Sequence, residues 1–267
     1  MKIVLFTAGL GNQVFQYFFC QWLQQRYPNE KVWGCYDPAI LANHNGLEID
    51  RVFDIALPPT SRCVYWIERV IRAIYKRTHC PSLSSHDEAD KDTLYYEGYW
   101  HDKRFFTDFV SHLQFRDDAP VSAENQQALA EIHSTHSVSI HIRRGDYLNP
   151  EFEARFAHSC PLDYYSRAIA YAQALWPDVR FFVFSDDIPW VREHLPLTNA
   201  LFVDWNQGAR SAWDMRLMSE CKASIIANSS FSFWGAMLGV RKQFVIRPKR
   251  WIGDEVPDIF PDDWLSY

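Results

Sequence analysis

The chain has 267 residues, 48% of them hydrophobic, enough to bury a sizeable core in one large domain or two modest ones. With 27 Lys+Arg against 33 Asp+Glu the formal charge is −6, which excludes a dedicated basic nucleic-acid binder. Ten glycines, 14 prolines and 16% aromatics exclude collagen-like and disordered classes. The six cysteines, at 20, 35, 63, 80, 160 and 221, show no CxxC pair or regular spacing, so reduced, partly buried thiols are expected rather than a zinc ribbon or a disulfide scaffold.

In chain order, Lys2 to Thr7 reads as a buried first strand, too short for a signal sequence and followed by no small-residue cleavage pattern. Ala8-Gly9-Leu10-Gly11-Asn12 is a turn, and Gln13 to Tyr27 a helix with an apolar face. Between Arg62 and Arg77, five Arg/Lys stand against Glu68 alone, while Val64, Ile67, Val70, Ile71 and Ile74 form a helical stripe. Two readings fit that stripe: a packing helix with a solvated basic side, or a peripheral contact with an anionic membrane. Asp117 to His136 is polar, has no strand pattern and is read as the connection between two halves.

Val138 to Ile142 is a second buried strand, running into Arg143-Arg144-Gly145-Asp146-Tyr147. Asp163 to Leu175 is helical; Arg180 to Phe184 is a strand covered on both faces and ends at Ser185-Asp186-Asp187. Met215 to Cys221 is helical, Ser224 to Ala227 a strand, Phe233 to Gly239 a helix and Phe244 to Ile246 a last strand. Repeated strand, loop and helix predicts parallel sheets with right-handed crossovers. Ligands of such sheets bind beyond the carboxyl ends of the strands, where four loops fall: 9–12, 143–147, 185–187 and 228–232.

Two arginines at the end of a buried strand are costly without an anionic partner, and guanidinium forks suit a diphosphate. Pairing with Asp146 and the acidic tail, Asp254 to Asp263, is the competing reading. Asn228-Ser229-Ser230-Phe231-Ser232 puts three hydroxyls at a helix start, where one cap would suffice, and so reads as an anion cradle. Asp186 and Asp187 could accept from a guanine edge, bind a metal, or cap a helix. Neither GxxxxGK[ST] nor a third glycine at dinucleotide spacing follows the first strand. Arg144-Gly145-Asp146 is also a cell-adhesion tripeptide, but it abuts a buried strand instead of an exposed loop tip.

GLGNQVFQY (9–17), HNGLEI (44–49), GYWHDKRFF (98–106), SIHIRRGDY (139–147), FFVFSDD (181–187) and DMRLMSECKASIIANSSFSFWGAML (214–238) occur in this order. Together they resemble the bacterial α-1,2-fucosyltransferases of glycosyltransferase family 11. The pattern departs at Phe18-Phe19, where small residues are usual, and at Ala223, where histidine is.

The resemblance implies a GT-B fold of two Rossmann-like domains facing a central cleft. Residues 1–125 would form the acceptor side and 126–267 the GDP-fucose-binding side. It implies inverting, metal-independent transfer of fucose from GDP-fucose to the 2-OH of a galactose-terminated surface glycan of O-antigen type, without a cofactor. A different fucosyl linkage or another nucleotide sugar is the alternative. By the resemblance, Arg143 is the diphosphate clamp, with Arg144 and His141 assisting. Asn228, Ser229, Ser230, Phe231 and Ser232 line the phosphates, Asp186 or Asp187 reads guanine, and Gly9, Gly11 and Asn12 face the donor. Asp146, Glu48 and His44 are the candidate bases; His44, Glu48, Tyr99, Trp100 and Asp102 are placed toward the acceptor. A cytoplasmic location, with peripheral contact at the inner membrane face, is expected.

Overall fold

In the computed structural model the chain is described at residues 1–42, 44–78, 84–86, 88–118, 120–149, 153, 156, 159–195 and 197–267, with backbone alone at 75, 76, 78, 84–86 and 146. It divides into two units, Met1–Asp117 and Asp118–Tyr267.

The first unit is built on β1 (Lys2–Leu5), which is buried along its whole length. It pairs in parallel with β2 (Val32–Cys35) on one side and β4 (Tyr95–Glu97) on the other, with β3 (Ser84–His86) beyond β4. Period-two alternation sends successive residues of β1 to opposite faces. Val4, with Phe6 beyond the strand, meets Phe19, Cys20 and Leu23 of α1 (Leu10–Arg26). Ile3 and Leu5 meet Val64 and Ile71 of a second long helix at 62–78. Helix α1 stops where Pro28 bars Tyr27 from helical geometry. Single turns α2 (Pro38–Leu41) and α3 (Ile49–Val52) precede the helix at 62–78, which is α4 (Arg62–Thr78).

The second unit has six parallel strands in the order β10-β9-β8-β5-β6-β7. They are β5 (Ser137–Ile142), β6 (Arg180–Ser185), β7 (Ala200–Val203), β8 (Ala223–Ile225), β9 (Phe244–Arg247) and β10 (Leu265–Ser266). On one face Val138, Ile140 and Ile142 pack with Tyr164, Tyr165, Ala168 and Ala172 of a helix at 162–175. On the other, Phe182 and Phe184 meet Ala128 and Ile132 of α5 (Ala123–Ser134), together with Leu217 and Met218. The helices after α5 that are described end to end are α6 (Leu162–Leu175), α7 (Ile188–His194), α8 (Ala212–Glu220) and α9 (Ser230–Met237). Helices α8 and α9 approach closely: a Cβ at Gly235 would lie 2.9 Å from the Met218 Cβ.

The segment expected to be a plain connector holds α5. Ser122 caps it, its Oγ accepting from Asn125 N at 3.2 Å, and the helix folds into the second unit, so the chain divides before it.

Ligands of open parallel sheets bind outside the strand ends where the chain reverses its direction of growth. In the second unit the reversal lies between β5 and β8; in the first the chain steps from β1 outward to β2, crosses to β3 and returns to β4, so β1 and β4 are neighbours reached from opposite sides.

Candidate active site

Strand β5 ends at Ile142, and the chain leaves the sheet as Arg143-Arg144-Gly145. Beside it β6 delivers Asp186, whose carboxylate holds that turn. Its Oδ1 accepts from Arg144 N (2.9 Å) and its Oδ2 from Gly145 N (3.0 Å), and Oδ2 lies 3.1 Å from Arg143 Nη1. A side chain at residue 145 would displace this carboxylate, for a Cβ there would lie 2.8 Å from Asp186 Oδ2. Asp187 is engaged likewise: Oδ1 caps α7 by accepting from Trp190 N, and Oδ2 accepts from Arg144 Nε at 3.2 Å. The Arg144 guanidinium lies over the Trp190 ring at 3.6 Å. Both carboxylates expected to read guanine are thus engaged within the chain as organisers of the arginine turn, Asp186 remaining 24% and Asp187 34% exposed. The Arg143 side chain remains 31% exposed.

Among the described residues the arginines pair with Asp186 and Asp187, in the turn between β6 and α7. The Asp146 side chain lies outside the described residues; its backbone opens a 3-10 turn over Asp146–Leu148.

On the other side of β5, β8 leads to Asn228-Ser229 and into α9. The three serines separate here. Ser229 caps α9 through its backbone, and neither its hydroxyl nor that of Ser230 makes a hydrogen bond among the described residues. Ser232 is fully buried, and its single O–H is shared between Ser229 O (3.2 Å) and Ala227 O (3.4 Å); it closes the loop instead of lining a surface. Asn228 is also an anchor, donating from Nδ2 to Trp251 O (2.9 Å) and Phe156 O (3.3 Å). Its carbonyl accepts from Tyr147 Oη at 2.8 Å, which ties the arginine turn to the serine turn. Phe231 faces His141, ring centroids 6.0 Å apart.

His141 is 6% exposed, and its Nδ1 has no hydrogen-bond partner among the described residues. Burial, reinforced by Arg143, pushes its pKa down to about 3, so the ring is neutral. An unpaired buried nitrogen costs about 1–3 kcal/mol. This makes His141 Nδ1 a polar group awaiting a partner at the reversal point.

In the first unit the corresponding position gathers the ends of β1 and β4. The left-handed residue of the first turn is Ala8 (φ 62°), not a glycine. Gly9 precedes α1 and faces His44, whose Nδ1 a Cβ would meet at 3.4 Å, while Gly11 lies in the first helical turn. Asn12 Oδ1 lies 3.1 Å from His101 Nε2, and burial lowers the His101 pKa to about 4. Two buried glutamines hold this end together. Gln13 donates to Ala8 O and Gly46 O and accepts from Glu48 N; Gln16 accepts from Thr7 N and donates to Gly98 O. Sequence reasoning passed over His101, Gln13 and Gln16, although amides on the buried face of an apolar helix were a usable signal.

The proposed acceptor-side residues divide. Tyr99 is 43% exposed and stacks on His101. Trp100 is a core residue, 2% exposed and stacked on Phe19 with centroids 3.8 Å apart. Asp102 caps the turn at Lys103–Phe105 and pairs with Arg104 at 2.8 Å. Glu48 is 5% exposed; burial raises its pKa, and its carboxylate accepts from Asn45 Nδ2 and the Leu10 N–H.

Comparison with known proteins fits this arrangement. Residues 63–266 match the family described as glycosyl transferase family 11. The chain is 28% identical to an alpha-1,2-colitosyltransferase of Escherichia coli over 99% of both chains. It is 36% identical to the O-antigen biosynthesis glycosyltransferase WbnK of Escherichia coli, over 50% of this chain and 45% of that one. Among solved structures it resembles fucosyltransferase NodZ from Bradyrhizobium (TM-score 0.51, 15% identity, 88% of this chain and 91% of that one). It also resembles POFUT1 in complex with GDP (TM-score 0.53, 9% identity, 93% of this chain and 98% of that one). The fold is the two-unit parallel α/β arrangement of GT-B enzymes, and the chain is a member of glycosyltransferase family 11.

Proposed function

We propose that the protein transfers L-fucose from GDP-β-L-fucose to the 2-hydroxyl of a galactoside, forming an α-1,2 linkage in a surface polysaccharide of O-antigen type. The observation that carries this reading is Arg143, held at the end of β5 by Asp186, while the neighbouring strand β8 leads to Ser229 and Ser230, whose hydroxyls make no hydrogen bond among the described residues. As the acceptor oxygen bonds to C1 of the sugar, the C1–O bond breaks and its electron pair leaves on GDP. Arg143, the two hydroxyls and the N–H groups of the first turn of α9 would receive that charge. Preorganised donors of this kind contribute about 3–4 kcal/mol each. The acceptor proton passes to a carboxylate, for which Asp146 and Glu48 are the candidates.

The four residues Arg143, Arg144, Asp186 and Asp187 sum to zero formal charge. Attraction for a diphosphate would therefore come from aimed donors instead of a net positive field. With both carboxylates engaged, neither is offered to a divalent ion, and transfer is proposed to proceed without one.

A second donor is favoured by the end-to-end match to a colitosyltransferase. Colitose is fucose without its 3-hydroxyl, and its GDP derivative would use the same clamp. GDP, and neither UDP nor CDP, is expected to raise the melting temperature. GDP-fucose and GDP-colitose are then compared by kcat/KM on one β-galactoside panel in EDTA, with linkage analysis of the product. Stabilisation by UDP or CDP instead of GDP, or transfer strictly dependent on Mg²⁺ or Mn²⁺, overturns the proposal.

A further inference from the structure

Helix α4 buries Val64, Glu68 and Ile71 against the first sheet, a spacing that fixes its inward face. At 100° per residue the opposite face carries Cys63, Trp66, Val70, Ala73 and Ile74, all exposed. Trp66 is 68% exposed, Val70 53% and Ile74 37%, so the single stripe expected from the sequence divides: Val64 and Ile71 turn inward, while Val70 and Ile74 lie with Trp66 on the outer face, one turn apart. Arg62 and Arg69 border this stripe and Arg77 continues it, all three exposed and without an ion pair among the described residues. Arg72 differs, since it pairs with the buried Glu68 at 3.1 Å. In a chain of net charge −6, this is an apolar ridge with a basic margin.

We infer that this outer face of α4 docks the protein on an anionic phospholipid bilayer, lying in the interface with Trp66, Val70 and Ile74 inserted and Arg62, Arg69 and Arg77 at the phosphates. Single apolar side chains are exposed elsewhere, such as Leu175 and Val240, but on α4 a tryptophan and two branched aliphatics share one outward face. A ridge that combines an amphipathic ring with arginines matches the chemistry of a headgroup layer. No helix among the described residues is long and apolar enough to cross a membrane, so this attachment is peripheral.

The test is flotation of the full chain with vesicles of phosphatidylethanolamine and phosphatidylglycerol, against vesicles of phosphatidylcholine alone. The wild-type chain should float with the anionic vesicles only, and less so in high salt. Each arginine near the surface contributes about fivefold in partitioning, so Arg62→Gln/Arg69→Gln/Arg77→Gln should weaken binding roughly a hundredfold. Trp66→Ser/Val70→Ser/Ile74→Ser should weaken it at least tenfold, with melting and transfer to a soluble acceptor unchanged for both. Equal binding to neutral vesicles, no binding at all, or undiminished binding by both variants overturns the inference. So does a wild-type dimer, seen by sedimentation, that Trp66→Ser converts to a monomer without any vesicle binding.

Discussion

Substituting Asp186 separates a positioning role from base recognition. Its carboxylate receives two backbone N–H groups and one guanidinium nitrogen within 3.1 Å. Hydrogen bonds to a charged group contribute about 1.5–3 kcal/mol each, and partial exposure of this carboxylate reduces that toward the lower figure. Asp186→Ala should therefore cost about 2 kcal/mol in transition-state stabilisation, roughly thirtyfold in kcat/KM, by releasing Arg143. Arg143→Ala alone should lower transfer at least a hundredfold. If the carboxylate acts through Arg143, the double variant is no worse than Arg143→Ala, and the coupling energy is about 2 kcal/mol. Asp186→Asn keeps one acceptor oxygen and should fall between. Steady-state kinetics on the four proteins, with melting curves to exclude unfolding, measure this cycle. Losses that multiply, or an Asp186→Ala variant whose KM for the GDP donor rises with kcat intact, refute the positioning role.

The serines should separate by function. Ser229→Ala and Ser230→Ala are expected to weaken the melting shift caused by GDP while leaving the ligand-free protein as stable as before. Ser232→Ala should lower the ligand-free melting temperature by removing its loop-closing bond, so equal effects at all three positions would contradict the division. Gly145→Ala should lower transfer tenfold or more with little change in secondary structure by circular dichroism, because its new Cβ meets a carboxylate held in place by three partners; an unimpaired variant would show that the turn yields. Asp214, bonded to Asn206 at 2.9 Å, has its carboxyl pushed up to about 7 by burial. Its folded-state pKa lies above the unfolded value, so the native state holds the proton more tightly and stability falls as pH rises from about 4 to about 7. Asp214→Asn should flatten that slope in denaturant titrations, and an unchanged slope would assign it to other groups.

Strands such as KIVL, SVSIHI and RFFVFS were legible because continuous apolar or β-branched runs between turns have few other solutions. Four-residue strands that include a glycine (VWGC) or follow a turn-rich stretch (ALFV) left no such pattern. Helix α5 escaped because Asn125, Ala128 and Ile132 provide its buried face, and an asparagine reads as loop until its partners are known. Asn125 donates to Asn206 and accepts from Trp205, about 80 positions away. The arginine and serine loops were legible because charge at the end of a buried strand demands an explanation. Their internal division of labour was not, since nothing in RRGDY or SDD says that Asp186 faces Arg143, Arg144 and Gly145, or that Ser232 turns back into its own loop. Trp100 shows the same limit: its sequence neighbours point to a surface motif, but Phe19 stacks beneath it.

Arginines that are already balanced by aspartates have one more effect. Isolated cations at a strand end would gather whatever small anions the surroundings supply and would have to shed them before every turnover. On the proposed reading a lone phosphate would meet little long-range pull here, and a ligand long enough to reach both the guanidinium edge and the neighbouring hydroxyls would gain most from entering. Selectivity against abundant inorganic anions would then be built into the resting protein, through span rather than through voltage.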